Sequence, residues 1–213
     1  MTEKYKERIK YSRGAAESYS RREPDKHRSE MELIEKGLKF TSGIKTILDA
    51  PCGVGRASVL LAQKGYAVTA VDLGNGALEF TRDALTQANV PGTVLKDDIE
   101  HMQFSDGAFD AVLCFRLFHH FPNVGVKERV AKELCRVAKD YVLISYISPW
   151  SFTTVRRRVK LALFNKPLKQ HHTSLRELTG YFAAHGFSLV EDIPQQRYVH
   201  SLHLAVFKRI DSK

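Results

Sequence analysis

This sequence predicts a doubly wound α/β fold: a mostly parallel seven-stranded sheet with helices on both faces and an antiparallel C-terminal strand. Three observations predict it. Short apolar runs alternate with stretches of helical periodicity from residue 24 onward. A glycine turn, Gly53 to Gly55, follows the first apolar run, where such sheets bind their ligands. The last two runs follow one another with no room for a crossover helix, so they pair antiparallel.

Each element has its own justification. "PDKHRSEMELIEKGLKF" opens with Pro24, suited to a first helical turn, and places Met31, Ile34 and Leu38 at helical spacing. "TILDA" is short and apolar, as a strand buried on both faces must be. "GRASVLLAQKG" reads as a helix stopped by Gly65, and "YAVTAVDL" as the second strand. "GALEFTRDALTQAN" is a helix, "GTVLKDD" the third strand, and "AFDAVLCF" the fourth, with Val112, Leu113 and Cys114 in a continuous apolar run. "VGVKERVAKELCRVAK" carries Val126, Val130, Leu134 and Val137 along one stripe. "YVLISYI" is the fifth strand. "SLRELTGYFAAHGF" is a helix with Leu175, Leu178 and Phe182 on one face and Gly186 as its stop. "SLVEDI" and "SLHLAVFKR" are the closing pair. Residues 1–23 and 149–172 fit neither period, so residues 1–213 read as one domain with two irregular segments.

At 213 residues the chain is long enough to bury a core without disulfides or metal, and no apolar run approaches the ~20 residues of a membrane span. The charged start "MTEKYKERIKYSRGAAESYS" is not a secretory signal. Cys52, Cys114 and Cys135 show no paired metal spacing and read as core thiols of a cytoplasmic protein. The net charge of +9 concentrates in Arg156, Arg157, Arg158, Lys160, Lys166 and Lys169, with no acid between residues 151 and 172. Such a run is either a solvated face or a site for phosphate, anionic lipid or nucleic acid.

The glycine turn is flanked by Asp49 and Asp72. Gly53 and Gly55 lack Cβ atoms, which lets backbone approach a ligand. Asp72 ends the second strand, where a carboxylate accepts ribose hydroxyls, a device that a dinucleotide enzyme shares. "GVGRAS" imitates G-x-G-x-x-G with Ser58 in the last place. Asp49 decides against a dinucleotide, because a carboxylate there repels a diphosphate and favours a protonated amine. S-adenosylmethionine, with an amino-acid end, a sulfonium and an adenosine, matches the acid–glycine–glycine–acid layout.

From these residues the chain resembles the class I S-adenosylmethionine-dependent methyltransferases, in particular the small methyltransferase-11/25-like group, a Rossmann-like fold. "ILDAPCGVG" resembles that group's D-x-x-C-G-x-G segment, "LKDDIEHMQFSDGAFDAVLCF" its G-D…F-x-D-G-x-F-D pattern, and "RLFHHFP" its loop after the fourth strand. The resemblance runs from about residue 30 to the C-terminus, apart from 149–172. It implies cofactor contacts from Asp49, Gly53, Gly55 and Asp72 with Leu73 beside it, then Asp98 on the adenine amino group, Ile99 along the ring, and Phe115. Pro51 stands where a glycine is usual, so its peptide offers no donor to the ligand. Arg56 either reaches the cofactor carboxylate or only begins the helix. "AKDYV" replaces the usual Gly-Gly turn before the fifth strand.

The methyl of a sulfonium is already activated, so placement and exclusion of water come first, and a general base is needed only for a poorly acidic acceptor. His120 and then His119 are the candidates for such a base, each with a structural histidine as the alternative. By the resemblance, residues 1–23 form a lid in which Tyr19 either closes the pocket or packs. His171, His172, His200 and His203 have no diagnostic metal spacing and read as structural or surface groups, so no metal is expected. Residues 149–172 interleave Trp150, Phe152, Leu161, Leu163 and Phe164 with cations, the composition of an acceptor lid or of a segment on the inner membrane face. The expected acceptor is small or lipid-linked and anionic, such as a cell-envelope saccharide or lipid precursor. The alternatives are RNA, less favoured because no RNA-binding module is appended, and a regulatory protein of this fold that binds an anionic nucleotide or a partner through Arg156, Arg157, Arg158 and Lys160.

Overall fold

The computed structural model describes residues 12, 14, 24–149, 171–196 and 201–210. Tyr19, the lid assigned to residues 1–23, most of the 149–172 segment with Arg156, Arg157, Arg158 and Lys160, and His200 lie outside the described residues, two isolated lid positions aside.

In chain order the elements are α1 (Pro24–Leu38), β1 (Thr46–Asp49), α2 (Arg56–Gln63), β2 (Ala67–Asp72), α3 (Asn75–Gln87), β3 (Thr93–Lys96), β4 (Phe109–Cys114), a short 3-10 helix (Phe118–His120), α4 (Val124–Val137), β5 (Ala138–Ile147), α5 (Leu175–Ala183), β6 (Phe187–Pro194) and β7 (Leu202–Arg209). They form one seven-stranded sheet in the order β3-β2-β1-β4-β5-β7-β6. β1 to β5 run parallel, and β7 lies antiparallel between β5 and β6. The predicted fold class stands, and the final pair of strands is antiparallel as expected.

Strand side chains alternate between two cores. Leu48, Val112, Cys114, Val142, Ile144 and Phe207 face a layer completed by α4 and α5. Ile47, Leu113, Leu143, Leu204 and Val206 face the opposite layer with Leu33 and Ile34 of α1 and Leu61 of α2. Because both faces are covered, the inner strands read as apolar runs rather than alternations. Phe182 of α5 stacks on Phe207 of β7 with ring centroids 4.3 Å apart.

Helix starts follow local chemistry. The Asn123 side chain accepts the Val126 N–H at the head of α4, and Ser174 accepts the Glu177 N–H at the head of α5. The "AKDYV" junction contains no loop. α4 passes straight into β5 at Ala138, with the Arg209 guanidinium donating to the Cys135, Ala138 and Lys139 carbonyls that the helix leaves open. One arginine from the far end of the chain thus takes over the role of the missing glycines.

Candidate active site

Strand order reverses between β1 and β4: β1 leads outward to β2 and β3, and β4 begins the other half. A ligand crevice opens beyond the carboxyl ends of the strands at such a switch point. Residues 50–55 form its floor. The Cys52 N–H donates to Val71 O at 2.8 Å and the Gly55 N–H to Cys52 O at 3.0 Å, with Gly53 and Gly55 at φ 59° and 76°. Gly55 is required twice over, since a Cβ there would stand 2.9 Å from Thr81 Cα of α3. Pro51, in the same turn, carries no N–H and follows a cis peptide bond.

Asp49 sits deeper than its position at the end of β1 suggests. Its side chain is buried beneath the turn because alternation along β1 directs it toward α2. Ser58 of α2 donates to Asp49 Oδ2 at 2.6 Å, while the buried Oδ1 has no hydrogen-bond partner. Burial, and secondarily the Asp72 charge, push its pKa up to about 7, against the pull of the Ser58 hydrogen bond. A buried carboxyl with one empty oxygen, poised between charged and neutral, suits a cation.

Asp72 is half-buried and shapes the turn. Its Oδ2 accepts the Gly53 N–H at 3.1 Å and its Oδ1 the Gly74 N–H at 2.8 Å. These two bonds fix the carboxylate against the turn. Leu73, half-buried, follows it toward α3. Past β3, Asp98 is half-exposed and accepts the Glu100 N–H at 3.0 Å, and Ile99 is buried beside it. The neighbouring Asp97 is structural, its two oxygens accepting the Asp98 and Gln103 N–H groups. Asp49, Gly53, Gly55, Asp72, Asp98 and Ile99 thus all lie at or just past the carboxyl ends of β1 to β3.

The β4 side is different. Phe115 is buried against the α1 face and does not stand open at the edge. His119 is buried, and its ring centroid lies 4.0 Å from that of the half-buried His120. The His171 N–H donates to His119 O at 2.9 Å and the Thr173 N–H to Ile147 O at 3.0 Å, so residues 171–173 bridge this loop to the end of β5. Beneath it the buried Lys127 Nζ donates to Thr173 Oγ1 and Glu177 Oε1, both at 3.0 Å, and Tyr181 donates to the same carboxylate at 2.7 Å. At the far strands, Asp192 accepts the Tyr146 O–H at 3.0 Å and bonds His203 Nδ1 at 2.9 Å. His203 is therefore tied into the sheet.

Arg56 begins α2. Its Nη1 meets Glu30 Oε2 at 3.0 Å, and Arg116 Nη1 meets Glu30 Oε1 at 2.6 Å. Glu30 of α1 is fully buried between the two. Sequence reasoning passed over Glu30, Arg116 and Lys127. Glu30 lies four and eight residues before Ile34 and Leu38, and Lys127 four and seven before Ala131 and Leu134. A charge on an apolar stripe was the available signal that each needed a buried partner.

Among the described residues no group of histidine, cysteine or acidic side chains could hold a metal, and no helix is long and apolar enough to cross a membrane.

The sequence matches a family described as a methyltransferase domain over residues 47–141. It is 29% identical over 147 residues to a 2-methyl-6-phytyl-1,4-hydroquinone methyltransferase of Synechocystis sp., covering 68% of this chain and 42% of that protein. It is 32% identical over 89 residues to a ubiquinone biosynthesis O-methyltransferase of Photorhabdus laumondii, covering 40% of this chain and 37% of that one. The chain therefore spans less than half the length of these two relatives. Among solved structures it is similar to magnesium protoporphyrin IX methyltransferase from Synechocystis PCC 6803 with bound SAH, at TM-score 0.71 and 18% identity, covering 87% of this chain and 82% of that one. At that identity the likeness speaks for the fold, and the family match speaks for the motif-bearing half. Residues 47–141 thus match a methyltransferase domain, and they lie within a fold shared with a solved methyltransferase.

Proposed function

We propose that the protein transfers a methyl group from S-adenosylmethionine to a small, lipid-linked acceptor. The observation that carries the first half is the unpartnered Oδ1 of buried Asp49 at the switch point, beside a glycine turn fixed by Asp72. An ammonium group supplies what that oxygen lacks, and a diphosphate does not. Asp49 would hold the amino end, Asp72 the ribose hydroxyls, and Asp98 with Ile99 the adenine, while Gly53 and Gly55 keep the floor open. When bound, the cofactor supplies a methyl already activated by the sulfonium. The chain's task is then to orient the acceptor and exclude water. His120, half-buried on the β4 loop, is the residue placed to hold or take an acceptor proton, with His119 packed beneath. The two relatives, a 2-methyl-6-phytyl-1,4-hydroquinone methyltransferase and a ubiquinone biosynthesis O-methyltransferase, support a lipid-linked acceptor. The basic, aromatic composition of residues 149–172 supports an anionic one, with that segment and residues 1–23 as its lids on a single domain.

Calorimetry with S-adenosylmethionine and S-adenosylhomocysteine tests the first half: both bind, and absence of binding by either overturns the reading. Incubating the protein with methyl-deuterated cofactor and a bacterial lipid extract tests the second. Label in the organic phase is expected, and label confined to water-soluble products removes the lipid-linked acceptor.

A further inference from the structure

A second polar group with an unmet hydrogen bond, Arg116, stands just past β4, the strand next to the one that carries Asp49. Asp49 and Leu113 are partners in the register between β1 and β4, and Arg116 lies three residues past Leu113. Arg116 therefore lies two residues past the end of β4 (Phe109–Cys114), on the loop that follows the strand beside β1.

Arg116 is held in an unusual way. Its φ of 62° lies in the left-handed region that a long side chain seldom adopts. Its backbone N–H is fixed to Ser145 Oγ at 2.6 Å, and its Nη1 to the buried Glu30 at 2.6 Å. β5 thus fixes the backbone of Arg116 and α1 its guanidinium, the pattern seen where backbone strain serves a site. Its Nε is buried and has no hydrogen-bond partner. Glu30 is shared with Arg56, so one buried carboxylate meets two guanidinium groups. A buried guanidinium N–H without an acceptor, across a switch point from a buried carboxyl oxygen without a donor, is complementary to a zwitterion: ammonium to Asp49, carboxylate to Arg116.

We propose that Arg116 is a carboxylate-binding residue of the crevice, with Glu30 as its positioning residue. This rests on the methyl-transfer reading above and adds the missing half of the amino-acid subsite. The carboxylate comes from one of two sources, the amino-acid end of the cofactor or an acid group on the acceptor.

Binding measurements on the full chain separate the sources without needing turnover. S-adenosylmethionine and its decarboxylated analogue differ only in the carboxylate, and 5′-methylthioadenosine lacks the amino-acid end altogether. Wild type is expected to bind S-adenosylmethionine about 10- to 100-fold more tightly than the decarboxylated analogue. Arg116→Gln brings that ratio close to one while leaving methylthioadenosine affinity unchanged, which also shows that the variant is folded. Glu30→Gln lowers the ratio and likewise spares methylthioadenosine, a pattern that general loosening of α1 would not give. If the ratio survives in Arg116→Gln, sodium benzoate titrated into the protein saturated with S-adenosylhomocysteine reads the second source. Benzoate binding lost in Arg116→Gln then assigns the site to the acceptor. A ratio and a benzoate affinity both indifferent to Arg116→Gln overturn the proposal. Should wild type bind no adenosyl compound, the methyl-transfer reading falls instead, and benzoate binding to the unliganded protein, dependent on Arg116 or not, still decides the carboxylate site.

Discussion

The carboxyl edge of the sheet has two halves built on opposite plans. Along β1 to β3 one polar group is left incomplete: Asp49 keeps a buried oxygen without a donor, beside a turn that Asp72 fixes. Along β5, β7 and β6 the described polar groups close on one another. Lys127 meets Thr173 and Glu177, Tyr181 meets Glu177, and Tyr146 and His203 meet Asp192. A preformed crevice needs unfilled valences where its ligand will sit, because those are what the ligand satisfies. A scaffold needs the reverse. On the proposed function, ligand binding belongs to the first half and mechanical support to the second.

The comparison breaks first at Gly55. Gly55→Ala combines a left-handed φ with a Cβ 2.9 Å from Thr81 Cα, so about 4 kcal/mol of stability and measurable S-adenosylmethionine affinity are lost together. Chemical denaturation and calorimetry read both. Unchanged stability would show that the floor is not preformed.

Asp49 gives the next largest effect and carries a sign. Its folded pKa of about 7 stands above the usual carboxylate value. Below about pH 4 both states hold the proton and the group contributes no penalty. As pH rises toward 7 the unfolded chain ionises first, so wild type loses stability, by about 2–3 kcal/mol once water penetration is allowed for, and the curve flattens above 7. Asp49→Asn lacks this component of the slope. Because an ammonium ligand favours the ionised form, cofactor binding near pH 6.5 should release a proton in wild type and none through this group in Asp49→Asn. Calorimetry in buffers of different ionisation enthalpy counts it.

On the supporting half, Lys127→Met should lower stability by about 1–2 kcal/mol, since Glu177 is partly exposed and finds water. Adenosine-end affinity should stay within twofold by calorimetry, an approximate bound for a distant, independent site. Asp192→Asn should cost about 1 kcal/mol, with the same indifference of cofactor affinity. Loss of binding in either variant would sharpen the comparison into coupling between the halves.

The same division explains what could be read in the sequence. The strands and helices were legible because each is a local period, and the acids at 49 and 72 because the turn between them is a short contiguous motif. Element ends moved by one to three residues, most at β5, where Arg209 replaces a turn from 70 residues away. Glu30 and Arg116 are separated by 86 positions and belong to no motif, so only the fold brings them together. The burial of Asp49 was hidden for a related reason. Ser58, noted only as a departure from glycine, is the donor that makes a buried acid tolerable there.

β7 is the last strand in the chain and an inner strand of the sheet. During synthesis on a ribosome, β6 would therefore emerge with nothing beside it, and the gap next to β5 would stay open until residues 202–209 cleared the exit tunnel. Strands β1 to β3 have all their neighbours by residue 114, long before that moment. A nascent chain could therefore complete one flank of its sheet while the other was still unsewn.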